Sequence, residues 1–345
     1  MIRPFHGFAL LSLGIAGACA TVPPIMGDPA VTVTATAETP PVGTPREDAA
    51  DDPAIWLNRA NPAASFVVGT DKKGGLYVYD LKGAQKHFIP APGLNNVDLI
   101  DLPGGRVLVA ASDRSDLTKV QLFLALLDTR TGTLSPAGRI VVGPGEGYGI
   151  CMVKPAGAQG IVAFSAPKGG TIYQTTITEA NGVFTGTTTT LSQIPTQTEG
   201  CIADPRTGTL FIGEEDAGIW AINIATGAKR MVAPVDNKML VADVEGLAIA
   251  PQGKDAGYLV ASSQGDNAYA VFRLPGVTPV GRFRVAAGTF GSTEETDGIE
   301  LDNRTFGPDF PGGLFIAQDG QNAPKAQNFK YARWDEILAA LGEGK

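Results

Sequence analysis

Six times the chain repeats one phrase, and its spacing limits the fold more than any other feature. Each copy opens on a polar anchor, runs as an apolar strand, turns, and returns as a second apolar strand with a polar ending. The anchors are Asp52, Asp98, Tyr148, Glu199, Glu245 and Asp297, separated by 46, 50, 51, 46 and 52 residues. The endings include Asp71-Lys72-Lys73, Asp113-Arg114, Ala166-Pro167-Lys168, Glu214-Glu215-Asp216, Ser263-Gln264-Gly265 and Gln318-Asp319. A third strand follows most copies, as in Leu76-Tyr77-Val78-Tyr79. A period of about 40–50 residues carrying about four strands is that of a β-propeller blade. The expected fold is all-β, a six-bladed propeller in one domain. The last copy leaves little chain for a fourth strand, because Trp334 to Leu341 reads as a helix. The alternating segment Val31 to Thr36 is therefore assigned to the outer edge of the last blade, closing the ring.

Composition narrows the function. The chain has 345 residues and a formal net charge of −8, which argues against nucleic acid as a partner because phosphate backbones need a basic surface. An anionic small molecule stays possible if metal ions locally invert the sign. His6 and His87 are the two histidines; one falls in the leader and the other in an expected outer strand. That argues against histidine-based catalysis and a zinc site.

The first 20 residues read as an export signal: Arg3, an apolar run from Phe8 to Ala16, then small residues. Ala18-Cys19-Ala20 fits cleavage before Thr21, whereas Ala16-Gly17-Ala18-Cys19 fits a lipoprotein box with Cys19 as the lipidated terminus. Both readings stand, and both predict an exported protein, whether periplasmic, outer-membrane-anchored or secreted. Residues 21–46 read as a linker containing the closing strand, and 47–345 as the propeller, expected to be monomeric. No other stretch is suited to crossing a membrane. Cys201 lies two residues after Glu199, and Cys151 three after Tyr148. Strand alternation then points the two sulfurs oppositely, so both are expected as buried free thiols.

The anchors of a propeller's inner strands converge on one end of its channel, beside the second-strand endings. This rim is predicted to gather Asp51, Asp52, Asp98, Glu199, Glu214, Glu215, Asp243, Glu245 and Asp297, with Gln264 as a neutral oxygen donor. Within that set, Glu199 and the Glu214–Asp216 cluster should meet at one end of a hairpin. Carboxylates so crowded repel one another unless cations join them, and hard oxygen ligands suit calcium. Lys72, Lys73, Arg114, Lys168 and the Tyr148 phenol are interleaved with them and suit phosphate. Metal ions with cationic side chains can hydrolyse a phosphoester by a metal-bound water. The same rim could also be a calcium-stabilised binding platform, and the residues alone leave both open.

Motifs collinear with the blades carry a resemblance. Asp51-Asp52-Pro53-Ala54-Ile55-Trp56, Asn95-Asn96-Val97-Asp98, Thr198-Glu199-Gly200, Asp243-Val244-Glu245-Gly246, Ser262-Ser263-Gln264-Gly265, Thr296-Asp297-Gly298 and Gln327-Asn328-Phe329-Lys330 closely resemble the β-propeller phytases over about Glu47 to Glu336. The resemblance implies a calcium-dependent 3-phytase-type phosphoric monoester hydrolase binding several calcium ions and acting on calcium phytate by direct attack of a calcium-bound water. It implies calcium ligands at Asp51, Glu199, Glu215, Asp243, Glu245, Gln264 and Asp297. Lys72, Arg114, Tyr148 and Lys168 would contact the scissile phosphate and Lys73 a neighbouring one. Ser115 to Lys119 and Ser165-Ala166-Pro167-Lys168 depart from the family's wording, which bears on the second phosphate. A propeller hydrolase of another substrate, such as a lactone, would ordinarily use a histidine that this rim does not offer. A noncatalytic inositol-phosphate-binding propeller is the remaining alternative.

Overall fold

Blade one is built from Ala50–Trp56, Phe66–Asp71, Gly75–Asp80 and Gln85–Pro90, hydrogen-bonded in that order as an antiparallel meander. In a computed structural model that describes residues 24–45, 48–155 and 160–343, this pattern recurs around a ring of six blades. The innermost strands of the other five are Leu94–Leu102, Gly149–Val153, Thr198–Asp204, Val244–Gln252 and Ile299–Asp302. Successive blades pack face to face through alternating apolar side chains. Val68, Val78, Val109 and Phe123, for example, share one core between blades one and two. The helix Trp334–Ala340 seals the far side by burying Trp334 and Ile337 against Tyr258, Phe283 and Phe315.

The N-terminal segment departs from expectation. Val31–Thr34 does not join the last blade; it pairs in parallel with Phe283 to Ala286, the outer strand of blade five. The outer place on blade six is taken by Ala37–Glu38, opposite Tyr331 and Lys330. The cause lies just upstream. The Gly27 amide donates to Asp266, Arg282 donates to the Asp28 carbonyl, and Arg282 and Asp266 form a buried ion pair on blade five. Those contacts pin the strand one blade early. Both export-signal readings, and Cys19 with them, fall outside the described residues. Among the described residues, no helix is long and apolar enough to cross a membrane.

The thiols are also corrected: Cys151 and Cys201 form a disulfide between the inner strands of blades three and four, with Cα atoms 5.4 Å apart. Strand alternation misled because the inner strand of blade four is bulged between Thr198 and Cys201, which shifts the phase by one residue. The bridge closes a sequence separation of 50 residues. On chain-entropy grounds its loss is expected to cost about 4 kcal/mol. Urea unfolding of the Cys151→Ala/Cys201→Ala variant beside the oxidised protein measures this, and coincident curves would contradict it.

Candidate active site

A single local irregularity builds the site. The inner strands of blades one, two, four and five each carry a bulge, at Asp51–Asp52, Asn95–Asn96, Glu199–Gly200 and Glu245–Gly246. The residues just before these bulges, Ala50, Leu94, Thr198 and Val244, sit opposite Asp71, Asp113, Glu214 and Ser263. Structurally equivalent rim positions are thus Asp51, Asn95, Glu199 and Glu245. A bulge aims its first side chain across the mouth while its second residue lets the neighbouring blade approach. On blades four and five that second residue is a glycine: a Cβ at Gly200 would run into the Glu245 carbonyl, and one at Gly246 into the Asp297 carbonyl. No larger side chain fits at these two positions.

This frame moves two expected rim residues. Asp52 and Asp98 lie further down the channel, in a narrow constriction that Cys151, Cys201 and Glu300 also line. One Asp52 oxygen accepts the Val97 amide, and the two oxygens of Asp98 accept the Leu99 and Met152 amides. Burial raises Asp98 to about 7 and pushes Glu300 well above the usual carboxylate range, with Asp98 adding to the latter. Glu214 is turned away as well. It accepts from the Thr196 amide and hydroxyl and from the Trp220 indole, fixing the turn that presents Glu215. Asp71 and Asp113 behave alike: each buried carboxylate binds the turn after its strand, leaving Lys72 and Arg114 to face the mouth.

Glu199, Glu215 and Glu245 converge, with one carboxylate oxygen from each lying within 4.8 Å of the others. Glu245 Oε2 is buried without a hydrogen-bond partner, and Asp51 Oδ1 faces Lys72 Nζ at 3.0 Å without a well-directed bond. Burial raises Glu199 to about 7, reinforced by Asp51, and pushes Glu245 well up, reinforced by Glu199. Asp297 and Asp51 are also raised, burial outweighing the attraction of Lys72. Burial alone would lower the Lys72 ammonium, but Asp51, Asp297 and Asp48 overcome it and hold it fully charged. Its Nζ lies 2.8, 3.0 and 2.9 Å from Asp48, Asp51 and Asp297. Asp243 and Gln264 line the same cavity of 780 Å³, and Gln264 donates to Asp297 at 2.8 Å. An all-oxygen donor set with an orphaned buried carboxylate oxygen and raised proton affinities fits a hard divalent cation.

The cationic lip is organised around Tyr148. Arg114 and Lys168 approach its ring from 5.0 and 4.7 Å, and both pair with Glu146. Burial, followed by Glu199 and Glu245, pushes the Tyr148 phenol far up, so it stays a neutral donor. Lys73 is exposed on the turn that follows Lys72. Asn95, which the sequence reading passed over for Asp98, links the two halves of the site. It donates to Asp51 and Glu199 and accepts from Arg114 at 2.7 Å. Leu94 pairs with Asp113, whereas on blade four Thr198 pairs with Glu214, so the blade-two hairpin is longer and the count that leads from Glu215 to Glu199 leads from Arg114 to Asp98 instead. His87 lies in the outer strand Gln85–Pro90, where its Nδ1 accepts the Leu134 amide.

Six blades surround a mouth that joins a carboxylate cluster to a cationic lip, an arrangement suited to hydrolysing a phosphoric monoester. The chain belongs to the phytase family: the family model described as Phytase matches residues 8–345. It is also similar to the 3-phytase of Bacillus subtilis (strain 168), 38% identical over 330 residues that cover 90% of this chain and 86% of that one.

Proposed function

We propose that the protein releases orthophosphate from phytate and requires calcium to do so. The observation that carries this reading is the convergence of Glu199, Glu215 and Glu245 beside Lys72, with Arg114 joined to Glu199 through Asn95 and Lys168 on the Tyr148 ring. Family membership and the 3-phytase relative support the substrate. Glu199, Glu215 and Glu245 would hold calcium, with Asp51, Asp243, Asp297 and Gln264 around them. Asp52 and Asp98, committed to backbone amides, are left out of that set. Bound calcium would supply the positive charge that admits a polyanion and makes a water more acidic.

The remaining roles belong to the chain's own side chains. Arg114 and Lys168 donate to phosphoryl oxygens and offset the charge that develops on them. Glu146 holds both in place. Tyr148 contributes a neutral hydrogen bond and a ring face that orients the two cations. Lys72 supplies a fixed positive charge whose three carboxylate partners prevent it from swinging away. Among the described residues that line the cavity there is no serine, cysteine or histidine, and its carboxylates are assigned to the metal ions. We take water as the nucleophile, with no phosphorylated side chain. Phosphate release from phytate, followed with calcium and with excess chelator, tests the reading. Acid quench during turnover tests the direct attack. Release that ignores the chelator would overturn the calcium requirement, and a trapped phosphoenzyme would overturn water as the nucleophile.

A further inference from the structure

The segment Gly320–Gln327, between the last two strands of blade six, forms one wall of the cavity, and the function above assigns it no role. It is a built wall. The Lys325 amide donates to the Asn322 carbonyl at 3.0 Å, and Asn322 Nδ2 to the Ala326 carbonyl at 2.8 Å. Gln327 clamps both ends, donating to the Gly320 carbonyl and accepting the Ala49 amide of blade one at 2.7 Å. At the base, Asp319 accepts the amides of Glu294 and Gln321 and is neutralised by the buried ammonium of Lys330 at 2.7 Å.

Charge on the rim is lopsided. Lys72, Lys73, Arg114 and Lys168 all come from blades one to three, and all but Lys73 are ion-paired. Blades four to six contribute Glu215, Asp243, Glu245, Glu295 and Asp297 to the cavity. Among the described residues lining it, the cations are Lys72 and Lys325, and Lys325 is exposed and makes no ion pair with any described residue. A substrate with several phosphates, holding one at the cationic lip, lays others toward a wall that is otherwise anionic or neutral.

We propose that Lys325 is a specificity-determining residue. Its ammonium takes a phosphate other than the one being cleaved, so the cavity favours densely phosphorylated substrates over single phosphates. This role rests on the phytate reading above. The test is steady-state hydrolysis of calcium phytate by wild type, Lys325→Ala and Lys325→Arg. Alongside it runs inhibition by inorganic phosphate, which needs one subsite only. Lys325→Ala is expected to raise KM for phytate about five- to tenfold, the weight of one charge-assisted contact at a solvated mouth, with kcat within about twofold. Inhibition by inorganic phosphate should stay unchanged, and Lys325→Arg should restore the wild-type KM. An unchanged KM in Lys325→Ala would overturn the proposal. So would a parallel loss of phytate and inorganic phosphate binding, which marks a structural role. Wild-type protein that releases nothing from phytate would instead refute the underlying activity, and this role with it.

Discussion

In excess chelator the protein is expected to stop releasing phosphate and to melt about 4 °C lower for each ion that had been present at a hundred times its Kd. The reason is electrostatic. Asp51, Glu199 and Glu245 are buried, with Asp297 half-buried beside them, and their proton affinities are raised chiefly by that burial. Without cations the fold must keep these groups protonated or bear their repulsion. The pH dependence of the calcium-free protein follows from the sign of the shifts. Between about 4.5 and 7, folded Glu199 still holds a proton that the unfolded chain has released. Its contribution is fully present below 4.5 and is lost as pH rises through about 7. Chelated protein should therefore be more stable at pH 5.5 than at pH 8, and added calcium should stabilise it more at pH 8. Melting curves at the two pH values, with and without calcium, decide this. A chelated protein that gains stability toward pH 8 would contradict the buried-carboxylate account.

The second large effect separates charge compensation from ion binding. Arg114→Ala removes a donor fixed by Asn95, Glu146 and the Tyr148 ring. Loss of one preorganised donor typically costs about a hundredfold or more in kcat, whereas the carboxylate cluster is untouched, so the calcium-dependent rise in Tm should survive. Glu199→Gln should lose both turnover and most of that rise, because it removes one of three converging carboxylates. Arg114→Ala turning phytate over at the wild-type rate would remove the second blade from the phosphate site.

Much of this architecture was legible because a blade is a local object. Its strands are sequential neighbours, so period and turns announce it, and the pairing of Thr198 with Glu214 confirms the hairpin that brings Glu199 beside Glu215. What escaped were features without a local signature. The bulges at Asp51–Asp52 and Asn95–Asn96 displace the register by a residue that composition does not mark. Asp98 therefore stood in for Asn95, and Asp52 was set on the rim beside Asp51. The same slip at Glu199–Gly200 hid the disulfide. Val31–Thr34 alternates as an edge strand should, but nothing in four residues says which of two blades they edge. The Gly320–Gln327 wall reads as an ordinary turn, and only the ring's curvature makes it part of a cavity.

The N-terminal pairing that straddles blades five and six bears on how copies of this protein meet. Val31–Thr34 and Ala37–Glu38 occupy the outermost ladder positions of two adjacent sheets. The outer strand of a propeller blade is an edge that can template a foreign strand, and proteins blunt such edges with charge, twist or a covering segment. Here one short segment masks two at once, and its threonines and Glu38 present a polar outer face. Clipping the chain between Thr34 and Ala37 would uncouple the two masks. It would bare backbone donors and acceptors on neighbouring sheets, and give the ring two adhesive edges.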